Sequence, residues 1–532
     1  MILDLRSTEE IDQIHGKIAI IGAGAAGITL AIELGRQFKD VVVLESGGFE
    51  FEQETQDLYG GPIFGHETIP LVSSRLRFFG GSTNMWAGLC APLDAVDFEG
   101  LSDRRFSGWP IKLENLVSFY ERAYQYCELG TYRNNSATLV EAGQAARQII
   151  DTSSVQLAEF RHSPPTRFGS RFRSELVSSD RINVYLHANV TNIAISPNGQ
   201  VVTALDVQTL NGRTLKVSAD IFVLCGGGIE NARILLNCSR FFPSGIGNEY
   251  DLVGRFFMDH LLAVGGTIVP RDKYFDLGPF RLHGGRDGNV PVSLVFKRSA
   301  QAIRQQIGSG CSVFLDPEYE NSERISKAES SASFEAVRSL IRDAKAGRVP
   351  QEIQERGCTV LDDPQSIVTA LYYRLTDPQE NRSALKTVTV RLTGEQLPNP
   401  LSRVVLTETV DALGMRKAGL DWRIAAEDND SLYEMAMTFA RGVGATNFGR
   451  MRIPARDEIT VVSGCHHIGT TRMHDDPRQG VVDRNCRVHK INNFFIAGSS
   501  VFPTTGRVNP TLTIVALAIR LADHLKLGAK RI

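Results

Sequence analysis

Apolar residues fall in short β-branched runs along the chain, and the first of these sets the frame. Lys17 to Ile21 (KIAII) has the unbroken apolar pattern of a buried parallel strand, and Val41 to Leu44 (VVVL) repeats it. Between them, from Ala25, the period lengthens to that of a helix, with Ile28, Ala31, Ile32 and Leu34 on one face. The same strand-then-helix pattern returns in ADIFVLCGGGIENARILLN (219–237), where the periodicity predicts a helix starting near Glu230. Ahead of it, residues 155–225 alternate apolar and polar positions around Asn-Gly pairs at 198–199 and 211–212, which predicts antiparallel strands joined by tight turns. Residues 1 to about 255 therefore read as one α/β unit with an inserted β-meander.

From about 256 to 425 the pattern changes. GGTIVPRDKYF, VPVSLVFKR, GCSVFLDPEY, KTVTVRLTGEQ, SRVVLTET and KAGLDWRI are strand-like, and a solvated helix is expected over 332–347. Near the end a strand at 493–497 leads into Gly498-Ser499-Ser500, a loop, and a long helix with Pro510 in its first turn. A turn at Trp109-Pro110 precedes an amphipathic helix from about Leu113.

Bulk composition adds bounds. A chain of 532 residues is expected to hold two or three domains, and 42% hydrophobic with 22% charged residues is ordinary for a globular protein. A net charge of −2 gives no reason to expect nucleic acid as a partner. The start, MILDLRSTEEID, carries acids early and has no apolar core, so no secretory signal is expected, and no run approaches the length of a membrane span. Cys90, Cys127, Cys225, Cys238, Cys311, Cys358, Cys465 and Cys486 are scattered with no zinc, haem or redox spacing, so free thiols in a cytoplasmic protein are expected and no metal site is.

The glycines carry the first chemistry. Gly22, Gly24 and Gly27 form G-x-G-x-x-G between strand and helix. Gly22 permits a tight turn, Gly24 lets a pyrophosphate approach the backbone, and Gly27 lets the helix pack on the strand. The helix N-terminus offers N–H groups to phosphate. Glu45, 21 residues past Gly24, is placed to accept from ribose hydroxyls. This predicts a dinucleotide with an unphosphorylated ribose, FAD or NAD. A second glycine-rich loop, SSRLRFFGGSTNMWAGLCAPLD (73–94), suggests backbone lying against a ligand.

GAGAAG (22–27), FGGSTNMWAG (79–88), SGWP (107–110), ADIFVLCGGGIENARILL (219–236), HHIGTTRM (466–473) and VNPTLTIVALAIRLADHL (508–525) together resemble the glucose–methanol–choline (GMC) family of FAD oxidoreductases. Within the family the resemblance is to the branch of pyranose oxidases and sugar or polyol dehydrogenases. It implies an α/β (α+β overall) fold: a Rossmann-like FAD-binding domain plus a substrate-binding domain on a mainly antiparallel sheet covered by helices. The domains are expected at 1–255 with 464–532 and at 256–463.

The resemblance also implies roles. The family's catalytic pair maps onto His466 and Asn509. Oxidising an alcohol requires loss of the hydroxyl proton and transfer of the carbinol hydride to flavin N5; a neutral imidazole can take the proton and an amide can hold the oxygen. FAD contacts are implied at Gly22, Gly24, Ala26, Gly27, Glu45 and Ser46, at Gly81, Ser82, Asn84, Met85, Trp86 and Ala87, at Val190, Gly226 and Asn231, and at Ser499, Asn509, Pro510 and Thr511. The helix beginning at that last group would offer its positive end to a reduced flavin. Some relatives bond the flavin to a His before the Trp; here Met85 stands there, so dissociable FAD is expected. No cysteine cluster for an iron–sulfur centre is present, leaving oxygen, a quinone or a soluble carrier as electron acceptor. The expected substrate is a hydroxyl of a sugar, glycoside or cyclitol. A steroid or aryl alcohol, an FAD-containing lyase and a non-enzymatic carrier are the alternatives, and an oligomer is compatible with the chain. Loops 60–78 and 272–290 are expected to shape specificity, and His467 to support the loop or touch substrate.

Overall fold

The computed structural model describes residues 1–7, 11–101, 104, 106–133, 136–239, 241–320, 330–345, 359–360, 362–368 and 384–529. Ile2–Asp4, Ile182–Leu186, Val41–Leu44, Gln13–Ile21 and Thr214–Leu224 lie side by side in that order, all parallel. The antiparallel meander, Val202–Gln208 and Asn189–Ile195, pairs on the first half of Thr214–Leu224. Phe494–Ile496 pairs in parallel with its last three residues, Phe222–Leu224. Ile18 to Ile21 and Val41 to Leu44 are buried throughout, as an unbroken apolar run requires when helices cover both faces of a sheet. Helix Ala25–Gly35 packs on helix Thr511–Ala529, so the two ends of the chain share one layer.

Two helix starts differ from expectation. The helix expected near Glu230 spans Gly227–Asn237, because Asn231 Oδ1 accepts from the Gly226 N–H at 2.7 Å and holds the first turn from inside. The helix expected from Leu113 divides into a 3₁₀ turn, Leu113–Asn115, and helix Val117–Tyr126; Asn115 Oδ1 accepts from the Lys112 N–H at 2.9 Å and closes the turn.

The second sheet has nine strands and is antiparallel. It runs Gly449–Arg452, Leu261–Pro270, Leu385–Gly394, Cys311–Tyr319, Val290–Arg298, Val155–His162, Leu89–Cys90, with Gly285–Asp287 and Val462–Ser463 paired at its margins. Two of these strands, 89–90 and 155–162, come from the stretch expected to serve the first domain. Helix Ala426–Ala445 covers one face: Phe439 stacks edge-on to Phe296 with centroids 5.3 Å apart, and Arg298 donates to the Ser431 carbonyl at 2.7 Å. Arg403–Val410 and Arg416–Asp421 form a separate ribbon. The expected 332–347 helix is observed as Ala332–Lys345; its last two positions, like Cys358, lie outside the described residues. No described helix is long and apolar enough to cross a membrane, and all seven described cysteines are free.

Candidate active site

The carboxyl ends of the parallel strands open onto a cavity of about 1670 Å³, and its far wall is the antiparallel sheet at Leu262–Val264, Phe314–Pro317 and Arg391–Thr393. Ligands of open α/β sheets bind at this edge, where the helix N-termini also point.

At one end the three motif glycines divide their work. Gly22 has φ +103°, the left-handed region that only glycine adopts cheaply. A Cβ on Gly27 would sit 1.8 Å from the Gly22 carbonyl oxygen, so only hydrogen fits between helix and strand. A Cβ on Gly24 or on Gly227 would meet nothing within 4 Å; both line the cavity, and the added atom would fill ligand space. Glu45 accepts from the Ala23 N–H at 2.7 Å and the Gly47 N–H at 2.9 Å, so its carboxylate ties two turns together while still lining the cavity. The second glycine-rich loop lies directly on the first: the Gly80 N–H donates to the Ala23 carbonyl at 2.9 Å.

Of the residues expected at the cofactor, Gly22, Gly24, Ala26, Glu45, Ser46, Gly81, Ser82, Met85, Trp86, Ala87, Val190, Gly226, Ser499, Asn509, Pro510 and Thr511 line this one cavity. Three do not. Gly27 is covered by the turn it packs against. Asn84 turns its amide to the Phe79 carbonyl at 3.0 Å. Asn231 is fully buried, bracing Gly226 at 2.7 Å and Ser500 Oγ at 2.8 Å.

A buried ionic cluster underlies the wall. Glu230 accepts from Arg77 at 3.0 Å and from Arg233 at 2.8 Å, with Arg75 at 3.9 Å. Burial alone would raise its pKa, but Arg233, Arg77 and Arg75 outweigh that and hold it at about 2. Arg75 stacks over the Tyr59 ring at 3.9 Å, and its guanidinium nitrogens have no hydrogen-bond acceptor among the described residues. A buried cation on the wall without an acceptor suits an anionic dinucleotide, as does the open space at Gly24 and Gly227.

At the other end stand His466 and Asn509, with Asn509 Nδ2 3.2 Å from His466 Nε2. The two segments that hold the site are pinned from several directions. Trp109 Nε1 donates to Thr504 Oγ1 at 2.8 Å, and Arg507 pairs with Asp94 at 2.7 Å, fixing the loop that carries Asn509. Ser499 Oγ donates to the His467 carbonyl at 2.6 Å. Met258 and Ile468 exchange two backbone hydrogen bonds at 3.0 Å. That bridge brings in residues the sequence reading missed: Asp259 and His260. Asp259 Oδ1 accepts from the His260 N–H at 2.7 Å and the His466 N–H at 2.8 Å, and its other oxygen accepts from Ser463 Oγ. His260 Nδ1 lies 3.0 Å from His466 Nδ1. Donor atoms of Asp259, His260 and His466 lie within 4.8 Å of one another, close enough to hold a metal ion, but protein hydrogen bonds already knit all three together. Away from the cavity, His474 Nδ1 accepts from the Asp476 N–H and His489 Nε2 lies 2.9 Å from the His474 carbonyl.

Burial sets the histidines' protonation. It lowers His466 to about 4, and burial, then Arg75 and His466, lowers His467 to about 3. Asp259 is raised by burial to about 6 against the hydrogen bonds it accepts. Both cavity histidines are therefore neutral at neutral pH, as a proton acceptor must be.

Residues 398–518, which include the His466 segment and the Asn509 loop, match the family model described as GMC oxidoreductase. By that match this part of the chain is a GMC oxidoreductase carboxy-terminal domain. GMC oxidoreductases bind FAD and act on alcohols, so this chain is an FAD-dependent oxidoreductase with a small-molecule alcohol as substrate. It is 26% identical to a paromamine 6'-oxidase of Streptomyces fradiae over 95% of this chain and 90% of that one. It is 25% identical to the fructose dehydrogenase large subunit of Gluconobacter japonicus over 61% of this chain, a match that spans half of that relative. A solved pyridoxine 4-oxidase from Mesorbium loti shares the GMC fold with TM-score 0.58 at 16% identity, covering 96% of this chain and 99% of that one.

Proposed function

We propose that this GMC oxidoreductase oxidises a hydroxyl group of a sugar, glycoside or cyclitol to a carbonyl, with His466 as the base and Asn509 as the oxygen clamp. The contact between Asn509 Nδ2 and His466 Nε2 at 3.2 Å, on a wall where the nucleotide edge meets the second sheet, carries this reading. In the free site the amide occupies the imidazole lone pair. A substrate hydroxyl donating to Nε2 takes that lone pair over and frees the amide hydrogen for the same oxygen. His466 then accepts the proton at Nε2, and Asn509 supports the negative charge that builds on oxygen. The helix starting at Thr511 points its N-terminal dipole into the same space. FAD, when bound, supplies the hydride acceptor. The residues that would hold it are those lining the nucleotide end, from Gly22, Gly24 and Glu45 to Ser499 and Thr511.

A polar substrate is supported by the wall opposite, where Thr267, Asp316, Arg391, Thr393, Arg452 and Thr460 stand among apolar residues. Loop residues Ile69 and Ser74–Phe78, and Phe280–Leu282, also line it. Residues 1–255 and 464–532 form the FAD-binding domain in this reading and 256–463 the substrate domain, whose sheet borrows strands 89–90 and 155–162. Oxygen, a quinone or a soluble carrier takes the electrons. The seven cysteines among the described residues are free, which suits the reducing cytoplasm.

The test is anaerobic titration of the yellow protein with sugars, glycosides, cyclitols and apolar alcohols while the oxidised flavin band is followed. Bleaching by one polyol class and not by apolar alcohols is the expected result. Bleaching by apolar alcohols alone would overturn the substrate class, and the His466→Ala variant should bind FAD yet lose about 10²- to 10⁴-fold in bleaching rate.

A further inference from the structure

A line of hydrogen bonds runs from the backbone through two imidazoles into the cavity, and its polarity is fixed at one end. The Gly506 carbonyl can only accept, so His260 Nε2, 3.1 Å away, carries the hydrogen. A neutral imidazole has a single N–H, which leaves His260 Nδ1 a bare lone pair. His466 Nδ1, 3.0 Å from it, must therefore donate. That leaves His466 Nε2 bare on the cavity side, where it faces the Asn509 amide at 3.2 Å.

We propose that His260 is the positioning residue that locks His466 in its Nδ1–H tautomer and so makes Nε2 the nitrogen able to accept a proton from substrate. The inference rests on His466 being the base, and it extends that reading to a residue with no access to substrate. His260 has no exposed surface and does not line the cavity. Were it protonated, it would donate from both nitrogens, the line would reverse, and Nε2 of His466 would carry a hydrogen and lose its function as a base. Burial, together with His466 beside it, pushes the His260 pKa well below the usual histidine value and keeps it neutral. Asp259 does not compete for the ring hydrogens, because it is engaged by the backbone N–H groups of His260 and His466 and by Ser463 Oγ. It holds the two residues in register; the ring-to-ring bond sets the tautomer.

The deciding measurement is nitrogen NMR of the FAD-loaded, ¹⁵N-histidine-labelled protein, with the His466 signals assigned by their loss in His466→Ala. The expected spectrum shows His466 with hydrogen on Nδ1 and an unprotonated Nε2. Hydrogen on Nε2 in the wild-type protein would overturn the proposal outright. Two variants then separate tautomer control from packing. His260→Asn keeps an acceptor near the former Nδ1, whereas His260→Leu keeps bulk without one. With whichever panel sugar bleaches the flavin fastest, His260→Asn should stay within a few-fold of wild type. His260→Leu should lose between about 10-fold and 10⁴-fold, the upper figure being the cost of a wrong tautomer in a catalytic triad. Equal losses in both variants, or none in His260→Leu, would reduce His260 to a packing role. If His466→Ala still bleaches, the base assignment falls by itself, because the nitrogen spectrum reports the tautomer independently of turnover.

Discussion

His466 meets two demands that pull against each other: it must stay neutral to act, yet it must receive a proton. Its burial lowers the pKa to about 4, so the imidazole is already free at neutral pH and the cost falls on holding the proton once taken. The sign is plain. The active form is the unprotonated one, so the rate of flavin bleaching should hold level from neutral pH down to about 5 and fall as pH drops through about 4. Anaerobic stopped-flow across that range checks it; a midpoint near 6.5, where an unperturbed histidine titrates, would show that the base is not in this environment. Met85 sets the second expectation at this scale. It is 49% exposed on the cavity wall and has no nucleophilic nitrogen to bond a flavin ring. Acid precipitation should leave all the yellow colour in the supernatant, and flavin retained in the pellet would contradict dissociable binding.

Among the elements, helix Gly227–Asn237 is the one whose loss would be felt on both sides. Its Glu230 is the counter-charge of buried Arg77 and shares Arg233 with Asp411, so the Glu230→Ala change leaves Arg77 with only the Asn189 amide oxygen as side-chain hydrogen-bond partner. A cost of about 3–5 kcal/mol is expected in denaturant unfolding. The turn before helix Ala25–Gly35 gives the opposite case. No protein atom lies within 4 Å of a Cβ at Gly24, so Gly24→Val should fold with an apoprotein melting temperature close to that of the wild type and yet remain colourless when FAD is added. These elements were legible in the sequence because their signals are local: a β-branched run, a glycine spacing and a helical period all fall within about 30 residues. Helix starts were legible only to within a few residues, since a buried side chain such as Asn231 decides the first turn. Asn84 and Asn231 were expected at the cofactor because they sit in the right motifs, but a motif does not say which way an amide turns. Asp259 and His260 were not legible at all. They precede a plain strand, and Asp259's bond to the His466 N–H spans 207 residues, a distance no periodicity reports.

Over the whole molecule, the site is a seam. Its nucleotide wall comes mostly from the amino-terminal half, its far wall from the middle, and His466, Gly506 and Asn509 from the last stretch of the sequence. The sheet that carries the nucleotide edge is itself incomplete until Phe494–Ile496 pairs with Phe222–Leu224, and helix Thr511–Ala529 then covers helix Ala25–Gly35. Proteins are made from the amino end, so the ribosome has passed residue 496 before that strand can dock. A nascent chain halted after residue 490 would expose the edge of a buried strand and the bare apolar face of Ala25–Gly35. Stalled chains of that length should resist loading with FAD and bind chaperones, whereas chains extended past residue 529 and released should turn yellow. If that outcome holds, cofactor capture in this protein waits on translation of residues 494–529.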